Sequence, residues 1–289
     1  MQQRSWNLLE ILNQTSGFFS DKSINNARLQ AELLLADVLD VGRLDLYLQF
    51  ERVLSPAEVD QYRQHVRQRL QNVPLQYIIG KAAFRELTLH VSNEVLIPRP
   101  ETEILVGTCL EYLSDTTKPY ILDLGCGSGA IGVSLAYECT TSRVAASDIS
   151  AKAIEVAQRN AVESGVADRL RFFEGDLFVP LPVGEVFSLI ASNPPYIVDA
   201  ELATLDPEVR DHEPRLALDG GKEGLDYYRR IVVDAPSFLE INGILVLEVG
   251  HKQATDVATL LNDAGMWQVV ETRPDLNGIP RVVVARKTS

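Results

Sequence analysis

The chain has 289 residues, 46% of them hydrophobic and 23% charged, and a formal net charge of −13. That composition suits a globular protein of one large or two unequal domains, and the negative charge argues against direct binding of a nucleic acid backbone, which needs a basic stripe. No apolar run is long enough to cross a bilayer and the Met1 end carries no secretory h-region, so no membrane partner is expected.

Residues 1–73 read as a small helical domain of four helices. "NARLQAELLLADVL" places Ala27, Ala31, Leu34, Leu35 and Val38 on one face at helical spacing. "SPAE" is a helix start, with Ser55 as N-cap, Pro56 in the first turn and Glu58 closing a capping box. Gly17 and Gly42 read as punctuation between helices. The basic run with Arg63, Arg67 and Arg69 reads as a solvated helix face. The character changes at Pro74. Residues 74–97 read as a connector containing a short hairpin strand, with Leu87, Leu89 and Val91 on one side. In the following "LIPRPETE", Pro98 and Pro100 argue against a regular helix or a central strand.

Residues 98–289 alternate strand and helix. "YILDLG", "RVAASD", "LRFFEG", "FSLIASN" and "GILVLEVG" are short apolar runs of the kind that form parallel strands covered on both faces. Between two of them, "SAKAIEVAQRNAVESG" is a helix with Ser150 at its start and Gly165 at its end. "WQVVETR" and "PRVVVARK", joined by "PDLNGI", predict an antiparallel hairpin at the sheet edge. The fold expected is a doubly wound α/β domain.

"DLGCGSGAIG" stands where a strand gives way to a helix. Gly125, Gly127 and Gly129 permit a tight turn and close approach of a ligand, and Asp148 ends the next strand, where an acidic residue can meet ribose hydroxyls. Up to this point NAD or any other adenosine-bearing ligand fits. Asp123, just before the first glycine, would repel a pyrophosphate but suits an ammonium group. Asp176 can accept from an adenine amino group, with Leu177 against the ring. Both favour S-adenosylmethionine.

The decisive stretch is Asn193-Pro194-Pro195-Tyr196. Each residue before a proline is pushed toward an extended conformation, and each proline has a fixed φ and no N–H. The segment is therefore stiff. The Asn193 side-chain oxygen and the Pro194 carbonyl can converge on one external NH₂ group, and Tyr196 offers a flat surface for a planar group. A planar NH₂ is a poor nucleophile because its lone pair is delocalised. Two acceptors that orient it and favour its growing positive charge suit methyl transfer without a metal or a nucleophilic cysteine.

With "PLQYIIG", "LIPRPETE", "DHEPRLALDGGKEGLDYYR" and "LEVGHKQ" added, the chain resembles the PrmC/HemK family over nearly its full length. The resemblance implies a class I S-adenosylmethionine-dependent methyltransferase domain behind a small helical N-terminal domain; that residues 1–73 recognise a part of the release factor remote from the glutamine is a separate expectation. The implied reaction methylates the side-chain amide nitrogen of the glutamine in the Gly-Gly-Gln motif of peptide chain release factors and leaves S-adenosylhomocysteine. It implies methionine-moiety contacts at Gly125, Cys126, Gly127, Ser128 and Gly129, ribose contacts at Asp148 and adenine contacts around Asp176 and Leu177. Asn193, Pro194, Pro195 and Tyr196 would bind the glutamine, with Asn193 also beside the cofactor. Cys126 stands where relatives often carry a small hydroxyl residue.

Nine acidic residues lie between Asp199 and Asp226, against three basic ones, and this segment is expected to cover the site and meet the release-factor loop. The alternatives are a glutamine methyltransferase acting on a ribosomal protein, an adenine-N6 DNA methyltransferase, and a non-enzymatic binding module. The net charge argues against DNA, "RPETE" points to the release-factor branch, and a binding module would not need the clamp. Cys109, Cys126 and Cys139 lack CxxC spacing and the four histidines are scattered. Reduced thiols in a cytoplasmic monomer, with no metal, are therefore expected.

Overall fold

The protein is described by a computed structural model over residues 5–288, so the first four residues of the predicted helical segment lie outside the described residues. Contacts divide the chain into two units, Met1–Gly80 with Pro207–His212, and Lys81–Asp206 with Glu213–Ser289.

The first unit is helical. Helix α1 (Leu8–Asp21) starts at Asn7, whose side chain accepts from the Glu10 N–H, and α2 (Ala27–Leu39) follows. A 3₁₀ turn (Arg43–Leu48) leads to α3 (Pro56–Leu70), which opens with the predicted Ser55–Glu58 capping box. The short helices α4 (Leu75–Ile79) and α8 (Pro207–His212) complete the unit. Ala31, Leu34 and Leu35 of α2 are buried against Leu8, Leu12, Phe19 and Tyr62, as the helical spacing predicts. Two expectations fail here. Gly17 sits inside α1 and ends nothing, because a Cβ there would meet no atom within 4 Å and the backbone is ordinary helix. Arg69 is not on a solvated face. It is buried, donates to Gln30 and to the Val73 carbonyl, and pairs with Glu208, so its guanidinium is satisfied without water.

The second unit begins with the hairpin β1 (Lys81–Phe84) and β2 (Leu87–His90). Helix α5 (Pro100–Leu113) then starts at a proline that had argued against a helix. Proline at the first helical position loses only an N–H that has no helical partner, and Glu101 and Glu103 in the first turn suit the positive end of the helix. The remaining elements are β3 (Tyr120–Leu124), α6 (Ala130–Glu138), β4 (Arg143–Asp148), α7 (Ala151–Glu163), β5 (Leu170–Glu174), β6 (Phe187–Ser192), α9 (Asp226–Asp234), β7 (Leu239–Glu248), α10 (Ala254–Asp263), β8 (Trp267–Pro274) and β9 (Pro280–Lys287).

The sheet order is β5-β4-β3-β6-β7-β9-β8. The first five strands pair in parallel, and β9 and β8 are antiparallel. Successive residues of β3 go to opposite cores: Ile121 packs with Leu189 and Val246 on one face, Leu122 with Ile190 and Leu245 on the other. This two-sided burial explains why the strands read as continuous apolar runs. From β3 the chain crosses to β4 on one side, and it returns to β6 on the other. That reversal opens a crevice at the carboxyl ends of β3, β4 and β6.

Candidate active site

A cavity of ≈ 340 Å³ opens at this edge, and the loops after β3, β4, β5 and β6 all contribute to its wall. The loop after β3 is built by its glycines. Gly125, Gly127 and Gly129 have φ of +75°, +53° and +80°, a region that penalises any Cβ. A Cβ on Gly125 or Gly127 would meet nothing within 4 Å, whereas one on Gly129 would lie 3.0 Å from the Ala157 Cβ. The first two glycines therefore leave room for a ligand, and the third allows α6 to pack on α7. Cys126 and Ser128 also line the cavity, and burial pushes the Cys126 thiol well up, so it is a space-filling group and not a thiolate.

Asp148 is held from both ends. Its Oδ2 accepts from the Gly127 N–H at 2.8 Å and its Oδ1 from the Ser150 N–H at 2.9 Å. Burial pushes its pKa up and these backbone donors oppose the shift. The carboxylate keeps lone pairs free on the cavity side for hydroxyl donors. Asp176 and Leu177 line the same cavity. Asp176 is tied to Arg230 at 2.6 Å, and Leu177 has φ +49°, a left-handed conformation that turns this residue toward the cavity wall.

Asp123 is a correction. It is fully buried, it is absent from the cavity wall, and its Oδ2 accepts from the Gly132 N–H at 2.8 Å in the first turn of α6. An inward position on β3 puts the carboxyl under a helix N-terminus, where it ties α6 to the sheet, away from the cavity wall. Among the described residues its Oδ1 has no hydrogen-bond partner.

Asn193, Pro194 and Pro195 line the cavity across from the glycine loop. Among the described residues neither the Asn193 Oδ1 nor the Pro194 carbonyl is taken by a hydrogen bond, whereas Asn193 Nδ2 donates to Thr102 Oγ1 at 3.2 Å. Two acceptors are thus left available on one stiff segment. Tyr196 does not line the cavity. A Cβ on Gly220 or Gly224 would strike its backbone, and one on Gly250 would lie 2.9 Å from its ring. Its carbonyl accepts from Gln253 Nε2 at 3.0 Å, and burial pushes its phenol up to about 12. These contacts hold Tyr196 in place at the end of the Asn193–Tyr196 segment.

Sequence reasoning passed over several residues that support this wall. Thr102 lies in "RPETE" and Glu248 and Gln253 in "LEVGHKQ", stretches that carried the resemblance without an assigned role. Asn160 of α7 is 1% exposed. It accepts from the His90 N–H and donates to the His90 and Ser128 carbonyls, tying the hairpin and the glycine loop together. An amide on the otherwise apolar buried face of an amphipathic helix was the available signal. From the acidic segment, Pro214, Leu216 and Ala217 reach the cavity wall, and many of its carboxylates pair with Arg99, Arg210, Arg215 and Arg229. Among the described residues no cluster of histidine, cysteine and acidic side chains is able to hold a metal ion.

Comparison with known proteins fits this geometry. Residues 10–80 match the PrmC N-terminal domain and residues 102–208 the methyltransferase small domain. The chain is 43% identical over 288 residues to the release factor glutamine methyltransferase of Chlorobaculum tepidum, covering 97% of each chain. It is 43% identical over 281 residues to that of Geobacter sulfurreducens, again covering 97% of each.

The chain belongs to the release factor glutamine methyltransferase family.

Among solved structures, the hMettl16 catalytic domain in complex with MAT2A 3′UTR hairpin 1 aligns with a TM-score of 0.57 at 13% identity, covering 83% of this chain and 84% of that one. The M. jannaschii tRNA m1G37 methyltransferase aligns with a TM-score of 0.51 at 13% identity, covering 72% of this chain and 56% of that one. At such identities these neighbours share the fold alone. Within the release factor glutamine methyltransferase family the residues present suit S-adenosylmethionine. The cradle at Gly125 and Gly127 has space where a Cβ would project, Asp148 is a prepositioned acceptor, and Leu177 is an apolar wall.

Proposed function

We infer that this protein methylates the side-chain amide nitrogen of a release-factor glutamine, that of the Gly-Gly-Gln motif, using S-adenosylmethionine. The observation that carries the reading is the pair of unengaged acceptors, Asn193 Oδ1 and the Pro194 carbonyl, on a rigid wall facing the glycine loop. Family membership supplies the substrate class.

When bound, S-adenosylmethionine supplies a sulfonium methyl group as the electrophile. Gly125 to Gly129, Asp148, Asp176 and Leu177 would hold it. The chain's own contribution is to fix the amide. Asn193 Oδ1 and the Pro194 carbonyl each accept one hydrogen of the NH₂, which sets the direction of the nitrogen lone pair and restrains its rotation. As the nitrogen gains positive charge, both hydrogen bonds strengthen. An increment of about 1.5–3 kcal/mol each amounts to roughly 10² to 10⁴ in rate.

We place the recognition of a more remote part of the release factor on the helical unit, residues 1–73 in the sequence division, and contact with the glutamine loop on the acidic segment Asp199–Asp226. A protein substrate, no direct nucleic acid contact, a monomeric enzyme and a cytoplasmic location complete the reading. No helix among the described residues is long and apolar enough to cross a membrane.

The test uses labelled S-adenosylmethionine with release factor, a ribosomal protein and DNA in separate reactions. Label on the release-factor glutamine is expected. Label on DNA alone would overturn the reading, and label on the ribosomal protein alone would move the enzyme to a different substrate.

A further inference from the structure

The "LEVGHKQ" stretch closes on the back of the clamp. Glu248 ends β7, beside the end of β6 in a register that pairs Ser192 with Leu247, so its side chain comes up behind Asn193. It is 1% exposed, and among the described residues its Oε2 has no hydrogen-bond partner. The groups that face the carboxyl are the Thr102 hydroxyl and the Asn193 amide, with Glu101 and Arg281 acting at longer range. Tyr196 and Tyr228 feel its charge, and the Tyr228 hydroxyl donates to the Glu248 backbone carbonyl at 2.8 Å. Thr102, in the first turn of α5, is 4% exposed and accepts from Asn193 Nδ2.

We propose that Glu248, acting through Thr102, is a positioning residue that determines which way the Asn193 side-chain amide faces. The proposal rests on the reading of Asn193 as the amide acceptor. A carboxylate only accepts hydrogen bonds. In this arrangement the single hydroxyl hydrogen of Thr102 turns toward Glu248, and a Thr102 lone pair accepts from Asn193 Nδ2. Glu248 itself also attracts the Nδ2 side of the amide. The opposite amide orientation would set Asn193 Oδ1 against a buried negative charge and an oxygen lone pair. Oδ1 is consequently turned to the cavity, where the substrate NH₂ is held. A negative charge behind the amide also polarises it and makes Oδ1 a stronger acceptor as positive charge grows on the substrate nitrogen.

Protonation of Glu248 removes this bias, since a carboxylic acid donates as well as accepts. Burial raises the Glu248 pKa to about 7, with Glu101 adding to the shift and Thr102, Arg281 and Asn193 opposing it. The acid limb of turnover is therefore expected near neutrality.

The test compares Thr102→Val, Thr102→Ser and Glu248→Gln with wild type, on the full chain. For Thr102→Val and Glu248→Gln, kcat on release factor is expected to fall roughly 10- to 100-fold, about the worth of one to two hydrogen bonds to a polar partner. S-adenosylmethionine affinity by calorimetry should stay within about twofold, and Thr102→Ser, which keeps the hydroxyl, should restore most of kcat. Wild-type kcat should decline below neutrality, and Glu248→Gln should lack that limb. By NMR without cofactor, the Asn193 side-chain amide protons should be protected from exchange in wild type and Thr102→Ser but not in Thr102→Val. Wild-type kcat and protection in Thr102→Val, or an unchanged acid limb in Glu248→Gln, would overturn the proposal. If Glu248→Gln does not fold, the Thr102 pair decides. Absence of wild-type activity on release factor would defeat the functional reading, and the exchange measurement still tests the network.

Discussion

The Arg99 guanidinium holds both carboxylate oxygens of Glu213 through one nitrogen, at 2.6 and 2.7 Å. Arg99 and its neighbour Pro98 line the cavity on one side, and Pro214, which follows Glu213, lines it on the other. The pair thus fastens the acidic segment to the start of α5. Glu213 is only 6% exposed, and that cation helps to hold its charge. Arg99→Met should cost about 2–3 kcal/mol, below the full value for a buried pair because the arginine is partly solvated. Urea denaturation reads the loss, and calorimetry should show weaker retention of S-adenosylmethionine. A variant with wild-type values in both would show that the ion pair fastens nothing.

Asn193→Ala separates binding from turnover. The substitution removes one acceptor at the cavity wall and leaves the glycine loop and Asp148 in place. Cofactor affinity should be nearly unchanged, while kcat on release factor falls by roughly 10- to 10²-fold, the worth of one of the two hydrogen bonds. Near-normal turnover would remove Asn193 from the mechanism.

Asn160→Leu keeps volume but removes three hydrogen bonds to buried backbone groups. A loss of about 2–4 kcal/mol is expected in denaturant unfolding. Because one of those bonds holds the Ser128 carbonyl, cofactor affinity should fall as well. Stability loss with unchanged affinity would mean that the glycine loop keeps its shape without this support.

Asp123 makes stability depend on pH in the less common direction. Burial raises its pKa to about 7, only partly opposed by the Gly132 N–H. Between the ordinary carboxyl value near 4 and this raised value, the folded state binds more protons than the unfolded one, so stability falls as pH rises through that window. Asp123→Asn carries no charge to bury. Its Tm relative to wild type should therefore climb from pH 5 to pH 8. A difference independent of pH would show that Asp123 does not titrate in this range.

Several features were legible in the sequence because their causes are local. The capping box at Ser55 and Glu58 needs only residues three apart. The positive φ values at Gly125 to Gly129 follow from missing Cβ atoms, the stiffness of Asn193 to Tyr196 follows from two prolines, and two-sided burial follows from unbroken apolar strands. From these came the α/β fold, the glycine turn after β3 and the stiff segment after β6. The errors arose where a local rule met a distant partner. Pro100 opens a helix because α5 begins there, Arg69 is buried because Gln30 and Glu208 receive it, and Asp123 faces the N-terminus of α6 instead of the cavity.

What tertiary structure alone decided is how the clamp is held. Thr102 is 91 residues from Asn193 in the chain, Gln253 is 57 from Tyr196, and Arg99 is 114 from Glu213. No periodicity links such pairs. They meet because β6 lies between β3 and β7 in the sheet, which sets Asn193 and Glu248 side by side at its carboxyl edge. The sequence by itself determined that a stiff Asn-Pro-Pro-Tyr segment would follow a buried strand. Strand order determined which side chains stand behind them, because a hydrogen bond at 3 Å depends on the packing of whole elements and not on the residues next in line.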